Sequence, residues 1–296
     1  MKKPRKKTPP DMPRFAFFGT PSLACDILDA LERAGYVPEL IVTMPDRPQG
    51  RGLVLAPSPV AAWAAARRIE TLKPEKLDEE FVSVLAVRAI PLAIVVAYGK
   101  IVPQALLDTF PRGMWNIHYS LLPRFRGATP VESAILAGDS ETGVAIQRMV
   151  FALDAGPIAA LERTPIEPSE TAPALRTRLN TMAARLLVQI FPQLVSGDIS
   201  LTEQDAAHAT RCGKMEKSDG DISHDDDVLR WRKYRAYYAW PGTYFFAQRG
   251  ERAIRVKVLE AHWERERCVI DIVTPEGKGP MPFATFLASG VKLLKN

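Results

Sequence analysis

The sequence of 296 residues is poor in cysteine and in long apolar runs. Its three cysteines, Cys25, Cys212 and Cys268, are odd in number and widely spaced. They predict neither a disulfide framework nor a zinc site with paired Cys-x-x-Cys motifs. No apolar run approaches the ~20 residues that span a bilayer, and the basic start MKKPRKKTPP is not followed by the apolar stretch of a signal peptide. We therefore expect a cytoplasmic protein with no membrane partner.

Positive charge is concentrated at the two ends of the chain. Net charge is +5, and five basic residues with no acidic residue lie in the first seven positions. The segment from Val228 to Asn296 has 13 Lys plus Arg against 6 Asp plus Glu, a net of +7. Two basic zones indicate a polyanionic partner, since Lys and Arg that neutralise phosphates release counterions. A solvated face and a disordered tail are the alternatives at this point.

Strands and helices alternate along the first 200 residues. A buried strand is expected up to Gly19, and a helix from Ser22 to Ala34. Apolar strands follow in PLAIVVAY, MWNIHYS and TGVAIQRMV, and helices in VESAILAG and in SPVAAWAAARRI, where Ser58 is the N-cap and Pro59 the first helical residue. We expect the segment PDRPQGRGLVLAPSPV, which is rich in Pro, Gly and Arg, to be a loop. The alternation predicts an α/β domain with a doubly wound, mostly parallel sheet.

The character of the chain changes near residue 200. A polar segment comes first, and short strand-like segments such as TYFFAQ, AIRVKVLEAHW and RCVIDIVT follow, which predict a small β-barrel of about five strands. The predicted organisation is a basic flexible tail at 1–12, a catalytic domain at 13–200, a linker at 201–227 and a C-terminal β-barrel at 228–296.

Two polar clusters in apolar surroundings are candidates for chemistry. Asn116 and His118 share a strand face because alternate side chains point the same way. An amide donor beside an imidazole suits the stabilisation of an oxyanion together with proton transfer. Asp154, in MVFALDAGPI, could hold the imidazole in one tautomer or accept a proton itself. The structural alternatives are a satisfied histidine in a core strand and a turn-forming aspartate.

The segment FFGTPSL places Gly19, Thr20 and Pro21 directly after a strand. Backbone N–H groups and a helix N-terminus face the ligand crevice at such a position. The segment lacks the second and third glycines of the dinucleotide fingerprint, so it indicates a dinucleotide site only weakly. A tight strand-to-helix turn explains it equally well.

The motifs NIH, SLLPRFRGATP and LDAGPI, with GTP at 19–21 and VVAYGKIVP, resemble the formyltransferases that use 10-formyltetrahydrofolate. The resemblance implies a Rossmann-like catalytic domain and an OB-like C-terminal barrel. It also implies that Asn116 and His118 bind the formyl oxygen, that Asp154 orients His118 and balances its charge, and that an acceptor amine attacks the formyl carbon. Neither a metal nor a covalent enzyme intermediate is expected.

The same resemblance implies where the folate binds. Its pterin would pair with backbone groups around Val96–Gly99, although VVAY also reads as an ordinary core strand. The folate-binding positions implied are Val96, Ala97, Tyr98, Gly99, Ile101, Ser120, Leu121, Leu122 and Pro123.

Three features favour initiator methionyl-tRNA as the acceptor, and with it a role in translation initiation. PDRPQGRGLVLAPSPV is similar to a loop that approaches the tRNA acceptor stem in relatives, RAYYAWPGTYFF resembles a C-terminal-domain motif, and the C-terminal module is basic. The acceptor-binding positions implied are Gly19, Thr20, Pro21, Arg47, Arg51 and Arg126, with Arg126 preferred over Arg124. The competing interpretations are an amino-sugar N-formyltransferase and an inactive α/β scaffold that binds RNA; DNA is not an expected partner.

Overall fold

The computed structural model describes residues 13–49 and 54–294, so the predicted tail at 1–12 and Arg51 lie outside the described residues. The chain forms two compact units. One comprises the chain up to His118 with Val144–Glu162 and Leu179–His208; the other comprises Tyr119–Gly143, Arg163–Arg178 and the chain from Ala209 onward. Within the described part of the chain, no helix is both long enough and apolar enough to cross a membrane. The domain boundaries expected from the sequence stay a prediction.

Strands and helices alternate up to residue 196, as predicted. In chain order they are β1 (Phe15–Gly19), α1 (Ser22–Arg33), β2 (Leu40–Val42), β3 (Arg47–Gln49), β4 (Val54–Ala56), α2 (Pro59–Arg67), β5 (Glu70–Leu72), α3 (Glu79–Ala86), β6 (Leu92–Val96), α4 (Gln104–Leu107), β7 (Met114–His118), β8 (Arg126–Gly127), α5 (Pro130–Ala137), β9 (Glu141–Arg148), β10 (Ile158–Pro165) and α6 (Ala172–Ser196).

Strands outnumber α-helices in the rest of the described chain. The strands and α-helices there are β11 (Arg211–Cys212), α7 (Asp227–Ala236), β12 (Tyr244–Arg249), β13 (Arg252–Glu264), β14 (Arg267–Pro275), β15 (Met281–Pro282), α8 (Phe283–Ala288) and β16 (Lys292–Leu293).

A seven-stranded sheet in the order β10-β9-β7-β6-β1-β2-β5 organises the α/β part. The pairs β1–β2, β1–β6, β2–β5 and β6–β7 are parallel, whereas β7 and β9 are antiparallel. Parallel neighbours need a crossover connection, which is why helices separate these strands along the chain. The mostly parallel, doubly wound sheet predicted from the sequence is confirmed.

Helices cover both faces of the central strand β1. Phe15, on one face, meets Phe191 of α6 edge to face, with ring centroids 4.9 Å apart. Phe18, on the other face, belongs to a buried cluster with Phe81 of α3 and Leu106 of α4. Because side chains of both faces are buried, the strand is apolar throughout rather than alternating, as expected where helices lie on both sides.

The segment expected to be a loop between β2 and α2 contains a two-stranded ribbon, so that prediction is wrong in part. Arg47–Gln49 pairs antiparallel with Val54–Ala56. Pro48 is compatible with this ribbon because a proline on an edge strand sacrifices no central ladder bond. Where the ribbon ends, the N-cap prediction for α2 is confirmed, since the Ser58 hydroxyl accepts a hydrogen bond from the Ala61 N–H at 3.0 Å.

The C-terminal strands form a five-stranded antiparallel sheet in the order β15-β14-β13-β12-β16. Ile254, Val256 and Val258 alternate along β13 and share one buried cluster with Phe245 of β12 and Phe286 of α8. Alternation of this kind is what one buried sheet face requires. The small β module predicted from the sequence is therefore present.

Candidate active site

The first unit brings Asn116, His118 and Asp154 together. Asn116 and His118 lie on β7, and Asp154 lies in the turn that follows β9, the antiparallel neighbour of β7. His118 Nδ1 is 3.7 Å from Asp154 Oδ2, and the Asn116 amide donates to Asp154 Oδ1 at 3.3 Å. Only 6% of the His118 side chain and 9% of the Asp154 side chain are exposed. The arrangement places amide and imidazole groups beside a buried carboxylate, which suits proton transfer and the stabilisation of a developing oxyanion.

The turn that carries Asp154 depends on its local sequence. Asp154 has φ +50°, a left-handed conformation that Asp adopts more readily than most residues. Two residues later a Cβ at Gly156 would overlap the carbonyl oxygen of Arg148. The Asp-Ala-Gly sequence thus allows the chain to fold back against the end of β9 and to present the carboxylate to β7.

Two glutamines also lie against the Asp154 turn, and neither was predicted. Gln147 lies opposite Asn116 in the β7–β9 register and is 1% exposed; its Nε2 donates to Asp154 Oδ1 at 2.9 Å. Gln204 Nε2 donates to the backbone oxygens of Asp154 and Gly156 at 2.9 and 2.6 Å and lies 3.2 Å from Gln147 Oε1. A polar residue inside the apolar strand TGVAIQRMV could have indicated Gln147. No local signal distinguishes Gln204 within its polar segment.

The predicted Gly19-Thr20-Pro21 segment lies where β1 and β6 end side by side. Gly19 pairs with Val96, and an added Cβ would lie 2.7 Å from the Phe17 ring and 3.1 Å from the Val96 carbonyl oxygen. The Thr20 hydroxyl donates to the Tyr98 carbonyl oxygen at 2.9 Å. These contacts join the two strand ends, and Pro21 precedes the first residue of α1 as its N-cap. An acceptor-binding role for the segment stays a prediction.

The backbone that carries the predicted folate-binding positions after β6 is irregular. Val96 is the buried last residue of the strand, and Ala97 and Gly99 have left-handed φ values of +47° and +93°. Tyr98 is buried against Phe18, and burial raises the pKa of its hydroxyl. Ile101 is 80% exposed, which is unusual for a large apolar residue. The structure therefore offers turned backbone and one exposed apolar side chain here.

The predicted Ser120–Pro123 segment belongs to the second unit. The buried Ser120 hydroxyl donates to the Arg124 carbonyl oxygen at 2.6 Å, and the Leu122–Pro123 peptide is cis. Leu121 is half-buried.

Arg126, also in the second unit, lies on β8, which pairs with β11, and its N–H donates to the Thr210 carbonyl oxygen at 2.9 Å. Arg124, the alternative to Arg126, forms an ion pair with Asp139 at 2.7 Å.

Arg47 and Arg51 are the two residues of the segment PDRPQGRGLVLAPSPV that the resemblance implies as tRNA contacts. Of the two, Arg47 lies in the part of the chain that the structure describes. Its exposed guanidinium forms an ion pair with Glu75 at 3.2 Å. Residues 13–49 and 54–294 contain no group of three or more His, Cys, Asp or Glu side chains able to hold a metal ion.

Comparison with known proteins identifies the class. Residues 13–191 match the sequence profile of a family described as "Formyl transferase". An N-formyltransferase from Helicobacter canadensis, solved with folinic acid and dTDP-3-aminofucose, has a similar fold: the TM-score is 0.64 at 14% identity, over 86% of this chain and 89% of that chain. The molecule is thus a formyltransferase, and hence a group-transfer enzyme.

Full-length relatives narrow the class further. A methionyl-tRNA formyltransferase of Thermus thermophilus is 44% identical over 89% of this chain and 86% of its own length. Another, from Sorangium cellulosum, is 39% identical over 86% of this chain and 80% of its own length. The chain belongs to the family of methionyl-tRNA formyltransferases.

Proposed function

We propose that this protein transfers the formyl group of 10-formyltetrahydrofolate to the amino group of initiator methionyl-tRNA. The observation that carries the proposal is the buried set of Asn116, His118 and Asp154, in a chain 44% identical to a methionyl-tRNA formyltransferase. The folate supplies the formyl group, and no group of the protein needs to be acylated on the way.

Asn116 and His118 provide the hydrogen-bond donors in this proposal. Negative charge grows on the formyl oxygen as the acceptor nitrogen bonds to the formyl carbon, and preorganised N–H groups in a water-poor site stabilise that charge strongly. The amine loses one proton overall, and the departing folate nitrogen gains one. In this proposal His118 moves that proton, and Asp154, 3.7 Å away, balances its charge.

We further propose that the basic C-terminal part of the chain binds the tRNA. Folded RNA is recognised largely through its backbone and shape, and Lys and Arg provide sequence-independent affinity for phosphates. Arg47, Arg51 and Arg126 are the proposed contacts near the acceptor end, with residues 228–296 as the tRNA-binding domain.

The decisive experiment measures transfer of radiolabelled formyl from 10-formyltetrahydrofolate to charged initiator methionyl-tRNA, beside an amino-sugar nucleotide and a buffer blank. We expect label on the tRNA, and a loss of turnover of about 10²-fold or more in His118→Ala and in Asp154→Asn, the usual scale for an acid–base or oxyanion group.

His208→Ala is the matched control, because that side chain is 78% exposed and pairs only weakly with solvent-facing Asp205. Label on the sugar nucleotide would retain the chemistry and overturn the acceptor. No turnover of the folate with any acceptor would support an inactive scaffold instead.

A further inference from the structure

Asp154 is held by a chain of side-chain amides that comes from two distant parts of the sequence. We infer that Gln147 and Gln204 are positioning residues, which orient the Asp154 carboxylate toward His118. The inference deepens the proposed function and rests on it, since Asp154 acts in that same site.

The orientation of both amides follows from their partners. Gln204 faces the carbonyl oxygens of Asp154 and Gly156, at 2.9 and 2.6 Å. Carbonyl oxygens only accept hydrogen bonds, so Gln204 must turn its NH₂ group to them. The same NH₂ group lies 3.2 Å from Gln147, which must therefore present its oxygen to Gln204. The NH₂ group of Gln147 is then left to face Asp154 Oδ1, 2.9 Å away.

This direction matters because the carboxylate is buried. A buried anion is costly unless donors compensate it, and hydrogen bonds to a charged group are about twice as strong as neutral ones. The Gln147 contact at 2.9 Å is shorter than the Asn116 contact at 3.3 Å on the same oxygen. With Oδ1 held by Gln147, Oδ2 is the oxygen that faces His118 Nδ1.

The fold brings Gln204 to this place through a short backbone pairing. Thr202 and Ile158 exchange two hydrogen bonds, of 2.8 and 2.9 Å, which tie the segment after α6 to the start of β10. Gln204 follows two residues later and closes over the Asp154 turn. Part of the segment expected to be a linker thus contributes directly to the site.

The test is steady-state formyl transfer by Gln147→Met, Gln204→Met and the double variant, with kcat and KM measured for both substrates. Methionine nearly retains the size of glutamine and removes its amide. We expect Gln147→Met to lower kcat about 10- to 100-fold, the scale of one hydrogen bond to a charged group, with KM for both substrates within about 2-fold.

A fall in kcat with KM unchanged is the readout that separates positioning from a general structural role, because a disturbed fold would not spare substrate binding. The double variant should lose little more than Gln147→Met alone, since the effects of residues that act through one series of hydrogen bonds are not additive. Gln193→Met, an exposed position on α6, is the control and should match the wild-type kcat and KM.

Gln147→Glu tests the same point if Gln147→Met does not fold. It keeps the shape and an oxygen that faces Gln204 but removes the NH₂ group that donates to Asp154, so kcat should fall as in Gln147→Met. A wild-type enzyme that transfers formyl while both Gln147 variants keep its kcat would overturn this inference alone. A wild-type protein without transfer would instead overturn the proposed function.

Discussion

Gly19 shows how little space separates the ends of β1 and β6. The residue pairs with Val96, and its α-carbon faces the Phe17 ring and the methyl group of Ala24. No side chain fits there without movement of the strand backbone or of the ring below it. The tight strand-to-helix turn that the sequence suggested as an alternative therefore explains the glycine on steric grounds alone. This explanation does not depend on any ligand that the segment binds.

We predict that Gly19→Ala lowers the free energy of unfolding by about 1–3 kcal/mol, the usual cost of overpacking a filled core. An added Cβ would lie 2.7 Å from Phe17 Cε1 and 3.0 Å from the Ala24 methyl carbon. Urea unfolding followed by circular dichroism measures the change. Gly213→Ala is the control, since its Cβ would meet no atom within 4 Å; equal stabilities of the two variants would refute the steric argument.

At the scale of elements, the start of α2 is stabilised by one hydroxyl group with two roles. Ser58 Oγ accepts from the Ala61 N–H at 3.0 Å and shares a 2.7 Å hydrogen bond with Thr43 Oγ1. Both hydroxyl-bearing residues are buried, at 6% and 0% exposure. The cap therefore also connects the helix to the residue that follows β2.

Replacing Ser58 by alanine should destabilise the protein by about 1–2 kcal/mol, the range for a lost N-cap, because the Ala61 N–H and the buried Thr43 hydroxyl both lose a partner. Ser58→Thr retains the hydroxyl and should lie close to wild type. Thermal unfolding of the three proteins gives the comparison. If the threonine variant is as unstable as the alanine variant, the cap is not the cause.

The ribbon of β3 and β4 marks a limit of prediction at this scale. Pro, Gly and Arg residues made its segment look like a loop, but Val54 is a good strand former and pairs with Gln49. A pairing of only three residues on each strand depends on contacts beyond the local pattern. The longer apolar strands, such as β6, were predicted correctly because their composition alone excludes an exposed loop.

For the whole molecule, net charge and its distribution bear on the partner. The sequence carries +5 overall, with positive charge concentrated in its first seven residues and in its C-terminal part. A protein that neutralises phosphates binds more weakly as salt rises, and the logarithm of the binding constant falls linearly with the logarithm of salt concentration.

We predict a steep salt dependence for methionyl-tRNA binding, measured by filter binding over a series of NaCl concentrations. In the plot of the logarithm of the binding constant against the logarithm of salt concentration, Arg47→Ala should reduce the slope by about 1 if the Arg47 guanidinium leaves Glu75 and contacts one phosphate. Arg163→Ala is the control, because that arginine is also exposed and also paired with a glutamate, Glu141. Identical slopes for the two variants would argue against Arg47 as an RNA contact.

Local signals in the sequence were enough to predict the α/β class and the small C-terminal sheet, and to single out Asn116, His118 and Asp154 as candidates for the site. Hydrophobic runs, alternation and turn residues are local signals, and the motifs around the three polar residues are short. The distance of 3.7 Å between His118 and Asp154 follows instead from the fold, because β9 pairs antiparallel with β7. The fold also brought Gln204 onto the same turn through the Thr202–Ile158 pairing. Contacts between residues so far apart arise from strand order and register, which no local periodicity contains.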